Sequence, residues 1–274
     1  MMRDIRVGGV PEHFNLPWRL AIEEGSFRAL GLNVEWVDFP GGTGAIMKAL
    51  HAGEVDIATP LTEGAIIAIA NGNSSRIAAV FVESPLMWGV HVATGSSFQT
   101  IADTKGAKIA VSRHGSGSEL MGYVMGSDHG WSLTEDDFVV VGGLDGALQA
   151  LPAGEADVFL WSKTMTQPHV DDGTFRRIAV LPAPWPSFAT TVTQDLVDDD
   201  AELVGVITQT AAARAQAFAQ SDDAALMVID RYGLKLAEAE EWLQQVRWAQ
   251  PSTPLDTDML SRVEARMREL GRIT

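Results

Sequence analysis

The feature that most constrains this chain is an internal repeat. Gly41-Gly42-Thr43-Gly44-Ala45-Ile46-Met47-Lys48-Ala49-Leu50-His51-Ala52-Gly53-Glu54-Val55-Asp56 aligns without a gap with Gly142 to Asp157, at a constant offset of 101, and eight of the sixteen positions are identical. Self-similarity of this kind marks two copies of one supersecondary unit. An apolar, strand-like run precedes each copy, Val34 to Phe39 and Phe138 to Val141. Another follows it, Ile57-Ala58 and Val158-Phe159-Leu160. Ile5-Arg6-Val7 and Ile109-Ala110-Val111 stand as the matching first strands. Each unit therefore reads strand, helix, strand, helix, strand, an order that builds a doubly wound, mostly parallel sheet with helices on both faces.

Two lobes follow from the two units. Strand-like runs at 76–82 and 87–93 flank Glu83-Ser84-Pro85, and runs at 177–181 and 188–193 flank Pro182 to Pro186. These are the two places where the chain crosses between lobes. The expected division is residues 1–87 with 188–274 as lobe 1 and 88–187 as lobe 2, with hinges at 83–91 and 181–188. The last eighty or so residues read as helices at 201–220, 222–232, 238–246 and 256–270. In the last of these Leu260, Val263, Met267 and Leu270 form a buried stripe. A tail without strands is expected to pack on lobe 1.

Composition narrows the chemistry. Twenty basic against 36 acidic residues give a net charge of −16, which disfavours nucleic acid and anionic lipid as partners. The charge is spread along the chain, as solubility alone requires. With no cysteine, disulfides, thiolate metal sites and thiol nucleophiles are excluded. His13, His91, His114, His129 and His169 have no metal-ligand spacing, and no nucleophile elbow, Walker pattern or dinucleotide fingerprint occurs. No cofactor, metal or catalytic residue is expected. Met1 to Gly9 has no export signal and no apolar run is long enough to span a bilayer, so the chain as written is expected in the cytoplasm, and in the periplasm only if a leader has been removed.

Ligands of doubly wound sheets bind beyond the carboxyl ends of the strands. In lobe 1 those loops hold His13, Asn15 and Trp18, then Gly42 and Thr43, then Thr62 and Glu63. Asn15 fits the N-cap of a helix opening at Leu16-Pro17. In lobe 2, Ser112-Arg113-His114-Gly115-Ser116-Gly117-Ser118 fits two readings, an anion site at a helix N-terminus or a Gly/Ser turn with a solvated arginine. Arg113, Ser116, Gly117 and Ser118 are the candidates there, with Lys163 at the mouth of the lobe. Trp18, Trp88, Trp161 and Trp185 fall at strand ends or crossings and suit an aromatic wall, although any one of them also suits a core. His13 and His114 hold equivalent positions in the two lobes.

Asn15-Leu16-Pro17-Trp18-x-x-Ala21-x-Glu23-x-Gly25-x-Phe27-x-x-x-Gly31-Leu32-x-Val34 resembles the opening of the substrate-binding proteins of nitrate, sulfonate and taurine ABC transporters. Ile101-Ala102-Asp103-x-Lys105-Gly106-x-Lys108-Ile109-Ala110-Val111 is similar to the start of that family's second lobe, and the Ala-Gly-Glu-x-Asp turns match too. The likeness covers residues 5–193. It implies a type II periplasmic-binding-protein fold, with relatives in thiamine-pyrimidine synthesis. It also implies ligand positions around His13 and Asn15, at Gly42-Thr43, Thr62-Glu63, Arg113 to Ser118, and Trp161. Ser112 to Ser118 and Pro184-Trp185-Pro186-Ser187 resemble a subgroup without secretion signals. The implied function is non-catalytic binding of a small anion or heterocyclic acid by lobe closure, with an ABC permease or another protein as partner. The rival is a biosynthetic enzyme on the same scaffold with His13 or Glu63 as acid or base. The missing cysteines count against the pyrimidine-synthesis relatives.

Overall fold

A computed structural model describes residues 2–273. The chain forms two compact units: residues up to Ser84 together with Trp185 onward (lobe 1), and Pro85–Pro184 (lobe 2).

Lobe 1 is built on β1 (Arg3–Gly9), β2 (Leu32–Asp38), β3 (Ile57–Thr59) and β4 (Ser75–Val82), with α1 (Leu16–Glu23), α2 (Thr43–His51) and α3 (Thr62–Ala70) between them. Lobe 2 contains β5 (Met87–Ala93), β6 (Ile109–Val111), α4 (Gly117–Asp128), β7 (Phe138–Val140), α5 (Leu144–Ala153), β8 (Val158–Ser162), α6 (Gln167–Asp171) and β9 (Phe175–Pro182). The chain then supplies β10 (Phe188–Thr193) to lobe 1, followed by α7 (Gln194–Ala219), α8 (Ala224–Tyr232), α9 (Leu236–Gln245) and α10 (Thr257–Glu269).

The sheet orders are β2-β1-β3-β10-β4 and β7-β6-β8-β5-β9. They are the same pattern. β1 pairs parallel with β2 and β3, as β6 does with β7 and β8, while β10 and β5 run antiparallel to both neighbours. Four strands of each sheet thus point one way and one is reversed. The reversed strand is in each case the first strand after a crossing.

The repeat holds in its backbone as well. Gly42 and Gly143 precede α2 and α5 with φ of 69° and 130°, and Gly53 and Gly154 follow them with φ of 67° and 72°. Side chains other than glycine avoid such φ values, which explains why these glycines recur at the same offset. The two turn aspartates repeat a role: Asp56 accepts the Arg6 N–H at 2.7 Å and Asp157 the Lys108 N–H at 2.8 Å.

Core residues follow the period of their elements. Ile46, Met47, Ala49 and Leu50 of α2 close over Val55 and Ala58, and Ala147 and Leu151 of α5 close over Ala110 and Phe159. In the tail, α7 packs on α1 and β4, and α10 packs on α3, so the helices belong to lobe 1. The expected start of α7 at 201 has a physical counterpart. Asp200 breaks the helix with φ −160° and ψ 75°, and its side chain then caps the remainder by accepting the Leu203 N–H at 3.0 Å. Val263 and Met267 of α10 are buried, with Leu260 and Leu270 half-buried beside them.

Candidate functional site

Because β1, β2 and β3 are parallel, the loops at 10–15, 40–42 and 60–61 all leave the carboxyl edge of the lobe 1 sheet. Hydrogen bonds weld them together. The Asn15 amide donates to the Val10 carbonyl at 2.9 Å and accepts the Thr59 hydroxyl at 2.7 Å. Thr43 Oγ1 accepts the Leu61 N–H at 3.0 Å, and its methyl lies where a Cβ on Gly64 would fall, at 2.4 Å. The reversed strand β10 starts at the same edge: Thr62 N–H donates to the Ser187 carbonyl at 3.0 Å and Ala189 N–H to the Pro60 carbonyl at 3.2 Å. This brings Trp185 to Glu63.

Glu63, in the first turn of α3, is 2% exposed and one of its oxygens has no partner. Burial pushes its carboxyl up to about 7. The nearby Trp185 indole N–H opposes that shift, but it lies outside hydrogen-bonding geometry. The Thr62 hydroxyl is buried and unpartnered too.

Two other lobe 1 candidates, His13 and Trp18, are enclosed in packing. His13 is fully buried, with its ring 4.3 Å from that of Trp242, 4.7 Å from Phe14 and 5.9 Å from Tyr232. Neither ring nitrogen has a hydrogen-bond partner, and burial drives the imidazole down to about 3, which keeps it neutral. A ring so enclosed is part of the packing between the first loop and the tail helices. Trp18 is 0% exposed and stacks on Phe27 at 5.7 Å, filling the core beneath α1. Asn15 is the N-cap residue of α1 as expected, but its side chain makes no capping bond, because both ends of the amide are engaged with Val10 and Thr59. Gly42 is the half-buried N-cap of α2.

In lobe 2 the equivalent edge gathers the turn after β6, the turn after β8 and the start of β5. Trp88 pairs with Ser162, and Lys163 N–H donates to the Met87 carbonyl at 2.8 Å. Trp88 is 4% exposed, whereas Trp161 is half-buried and stacks on Phe159 at 5.2 Å. Ser116 caps α4 by accepting the Glu119 N–H at 3.3 Å; its hydroxyl also meets that of Ser118 at 3.0 Å, and Ser118 Oγ accepts the Ser112 N–H. Gly117 opens the helix. Arg113 is half-buried, and loss of hydration lowers its pKa. Lys163 is half-buried as well.

Two features escaped sequence reasoning. Glu119, 1% exposed, already supplies a carboxylate at this turn: Oε2 accepts the Gly115 N–H at 2.8 Å and Oε1 meets Nδ1 of exposed His114 at 2.7 Å. Its signal was present, since Ser116-x-x-Glu119 has capping-box spacing. The second is a buried network on the lobe 2 sheet. His91 Nε2 meets the Thr166 hydroxyl at 2.9 Å and the Arg177 Nε at 3.2 Å, while Arg177 also reaches Gln167 and the Lys163 carbonyl. Strand register places Arg177 beside His91, and no local motif announces it. No cluster of side chains fit to hold a metal occurs among the described residues.

Residues 88–181 match the model of the Ca3427-like PBP family. No curated protein matches the chain. Among solved structures, the CA3427 gene product of Candida albicans, described as defining a new family with the generic periplasmic-binding-protein fold, is 26% identical with a TM-score of 0.92, over 98% of this chain and 90% of that one. The periplasmic aliphatic sulphonate-binding protein SsuA of Escherichia coli is 17% identical with a TM-score of 0.78, over 100% of this chain and 94% of that one. The alkanesulfonate-binding SsuA of Xanthomonas axonopodis pv. citri, bound to MOPS, is 18% identical with a TM-score of 0.78, over 99% and 94%. No helix among the described residues is long and apolar enough to cross a membrane. The two matching five-stranded sheets and these full-length likenesses give the chain the periplasmic-binding-protein fold.

Proposed function

We propose that this chain is a non-catalytic binder of a small organic anion or heterocyclic acid, with its anion-binding group on the carboxyl-edge loops of lobe 2. The observation that carries the reading is the full-length likeness to two sulfonate-binding proteins. The chemistry of lobe 2 agrees with it. Arg113 is a half-buried guanidinium on the turn that opens α4, and its planar donor fork suits a carboxylate or sulfonate. Trp161, half-buried on Phe159, offers a face to the body of a ligand.

Glu119 refines the proposal. Its carboxylate accepts the Gly115 N–H, so the Arg113 guanidinium, rather than that amide, is the group assigned to an incoming anion. Closure of the lobes on the ligand and delivery to an ABC permease belong to the same reading.

Calorimetry against alkanesulfonates, nitrate and pyrimidine precursors tests it. At least one anion should bind wild-type protein, and Arg113→Ala should weaken it by about tenfold or more, as expected for loss of a charge-assisted hydrogen bond. No binding, or unchanged affinity in the variant, overturns the anion reading. Small-angle scattering with and without the ligand tests closure, co-purification tests the permease, and cell fractionation tests the cytoplasmic expectation.

A further inference from the structure

We infer that Arg177, docked on a neutral His91, is the positioning residue for the turn after β8, which holds Trp161 and Lys163 at the carboxyl edge of the lobe 2 sheet. The inference lies wholly within lobe 2. Its bearing on affinity rests on the reading that this edge binds an anion; its bearing on the turn does not.

The sheet first brings the two side chains together. The β5–β9 ladder shifts register between Val90, opposite Ala179, and His91, opposite Arg177, so that Ile178 is passed over. An irregularity of this kind re-aims a side chain. Gly89 leaves the space the pair occupies: a Cβ there would fall 2.4 Å from His91 Cε1 and 3.0 Å from Arg177 Nε. His91 and Thr166 are both 0% exposed, so their contacts are shielded from water.

The partners of His91 settle its tautomer. Nδ1 lies 3.1 Å from the Phe159 carbonyl, which can only accept, so Nδ1 carries the proton and Nε2 is an acceptor. Arg177 Nε–H donates to that nitrogen at 3.2 Å. A second proton on the ring would set two N–H groups against each other. Burial, and after it the Arg177 charge, keep the imidazole neutral down to about 3.

With Nε anchored, the rest of the fork reaches the turn. Nη1 donates to Gln167 Oε1 at 2.7 Å, and Nη2 to the Lys163 carbonyl at 2.8 Å and the Thr166 hydroxyl at 3.3 Å. A planar fork held at one nitrogen fixes direction as well as distance. The Lys163 N–H is tied separately to the Met87 carbonyl, so both backbone groups of Lys163 are engaged. Side chains that meet a ligand keep their geometry when a second layer locks them, and Arg177 supplies that layer here.

Hydrogen exchange read by mass spectrometry tests the turn directly. In Arg177→Met it should speed up about tenfold in peptides covering 161–170 and stay unchanged at 109–128. His91→Leu should do the same, and His91→Gln, which keeps an acceptor near the position of Nε2, should restore the wild-type pattern. In wild type, nitrogen NMR should find the His91 proton on Nδ1 at neutral pH. An anion that binds wild type should bind Arg177→Met about tenfold more weakly. No local change in exchange, an equal change throughout lobe 2, a proton on Nε2, or unaltered anion affinity overturns the inference. Should no anion bind wild type, the anion reading fails by itself, and exchange and tautomer decide the positioning role.

Discussion

Asn15 and Thr59, forty-four residues apart in the chain, share a buried hydrogen bond of 2.7 Å from the threonine hydroxyl to the asparagine carbonyl oxygen. The other end of the amide holds the Val10 carbonyl, so one side chain fixes the loop after β1 against the end of β3. Gly9 makes room for this. A Cβ there would lie 2.6 Å from the Thr59 hydroxyl and 2.8 Å from the Asn15 nitrogen. Asn15→Ala should cost about 2–3 kcal/mol in urea unfolding, since it removes both bonds and leaves a buried hydroxyl and carbonyl without partners. Gly9→Ala should be destabilising by the same mechanism, and loss in either variant should be seen without ligand.

His13 gives the chain an acid limb. Its imidazole stays neutral in the folded state down to about 3, whereas in the unfolded chain it takes a proton near its ordinary value of 6.5. Between those values protons bind the unfolded state better. Stability supplied by the neutral ring is therefore complete above about 6.5 and falls as the pH drops toward 3. His13→Leu, which also removes two unpartnered nitrogens, should flatten this part of the profile and leave stability at neutral pH equal or higher. Urea midpoints across the range test it, and an unchanged acid slope overturns it.

The architecture was readable because the physical constraints behind it are local and repeat. Gly42 and Gly143 need positive φ, and Asp56 and Asp157 catch a backbone N–H ahead of their strands; both pairs are visible in one dimension. Apolar runs beside turn residues then located the strands. The environments of individual site residues were not readable in this way. His13 stands in a loop at a strand's carboxyl end, a position that is ordinarily open. Its burial comes from Tyr232 and Trp242, more than two hundred residues later. Trp18 faces Phe27 and Phe81 in the core for the same kind of reason. The Arg177–His91 contact depends on strand register, which no single segment encodes.

Glu63 should shape the neutral side of the pH profile with the opposite sign. Its carboxyl holds a proton in the folded chain up to about 7, whereas the unfolded chain releases it near 4.5. Stability linked to the protonated form is complete below about 4.5 and is lost as the pH rises through 7. Glu63→Gln keeps the shape, cannot ionise, and should remove that loss. Melting temperatures at pH values below and above this window check it, and parallel profiles for wild type and variant count against it.

Two of the four candidate tryptophans should separate cleanly by experiment. Trp18 is fully buried against Phe27 and Phe81, so Trp18→Ala opens a cavity in lobe 1 and should cost about 3–5 kcal/mol of stability. Trp161 rests half-buried on Phe159 at the carboxyl edge of lobe 2. Trp161→Ala should cost less stability, yet weaken an anion identified by calorimetry by about tenfold, the scale of one lost aromatic face. The two measurements must dissociate: a Trp161 variant that binds as well as wild type removes that face from the proposed site and leaves Trp161 as packing on Phe159.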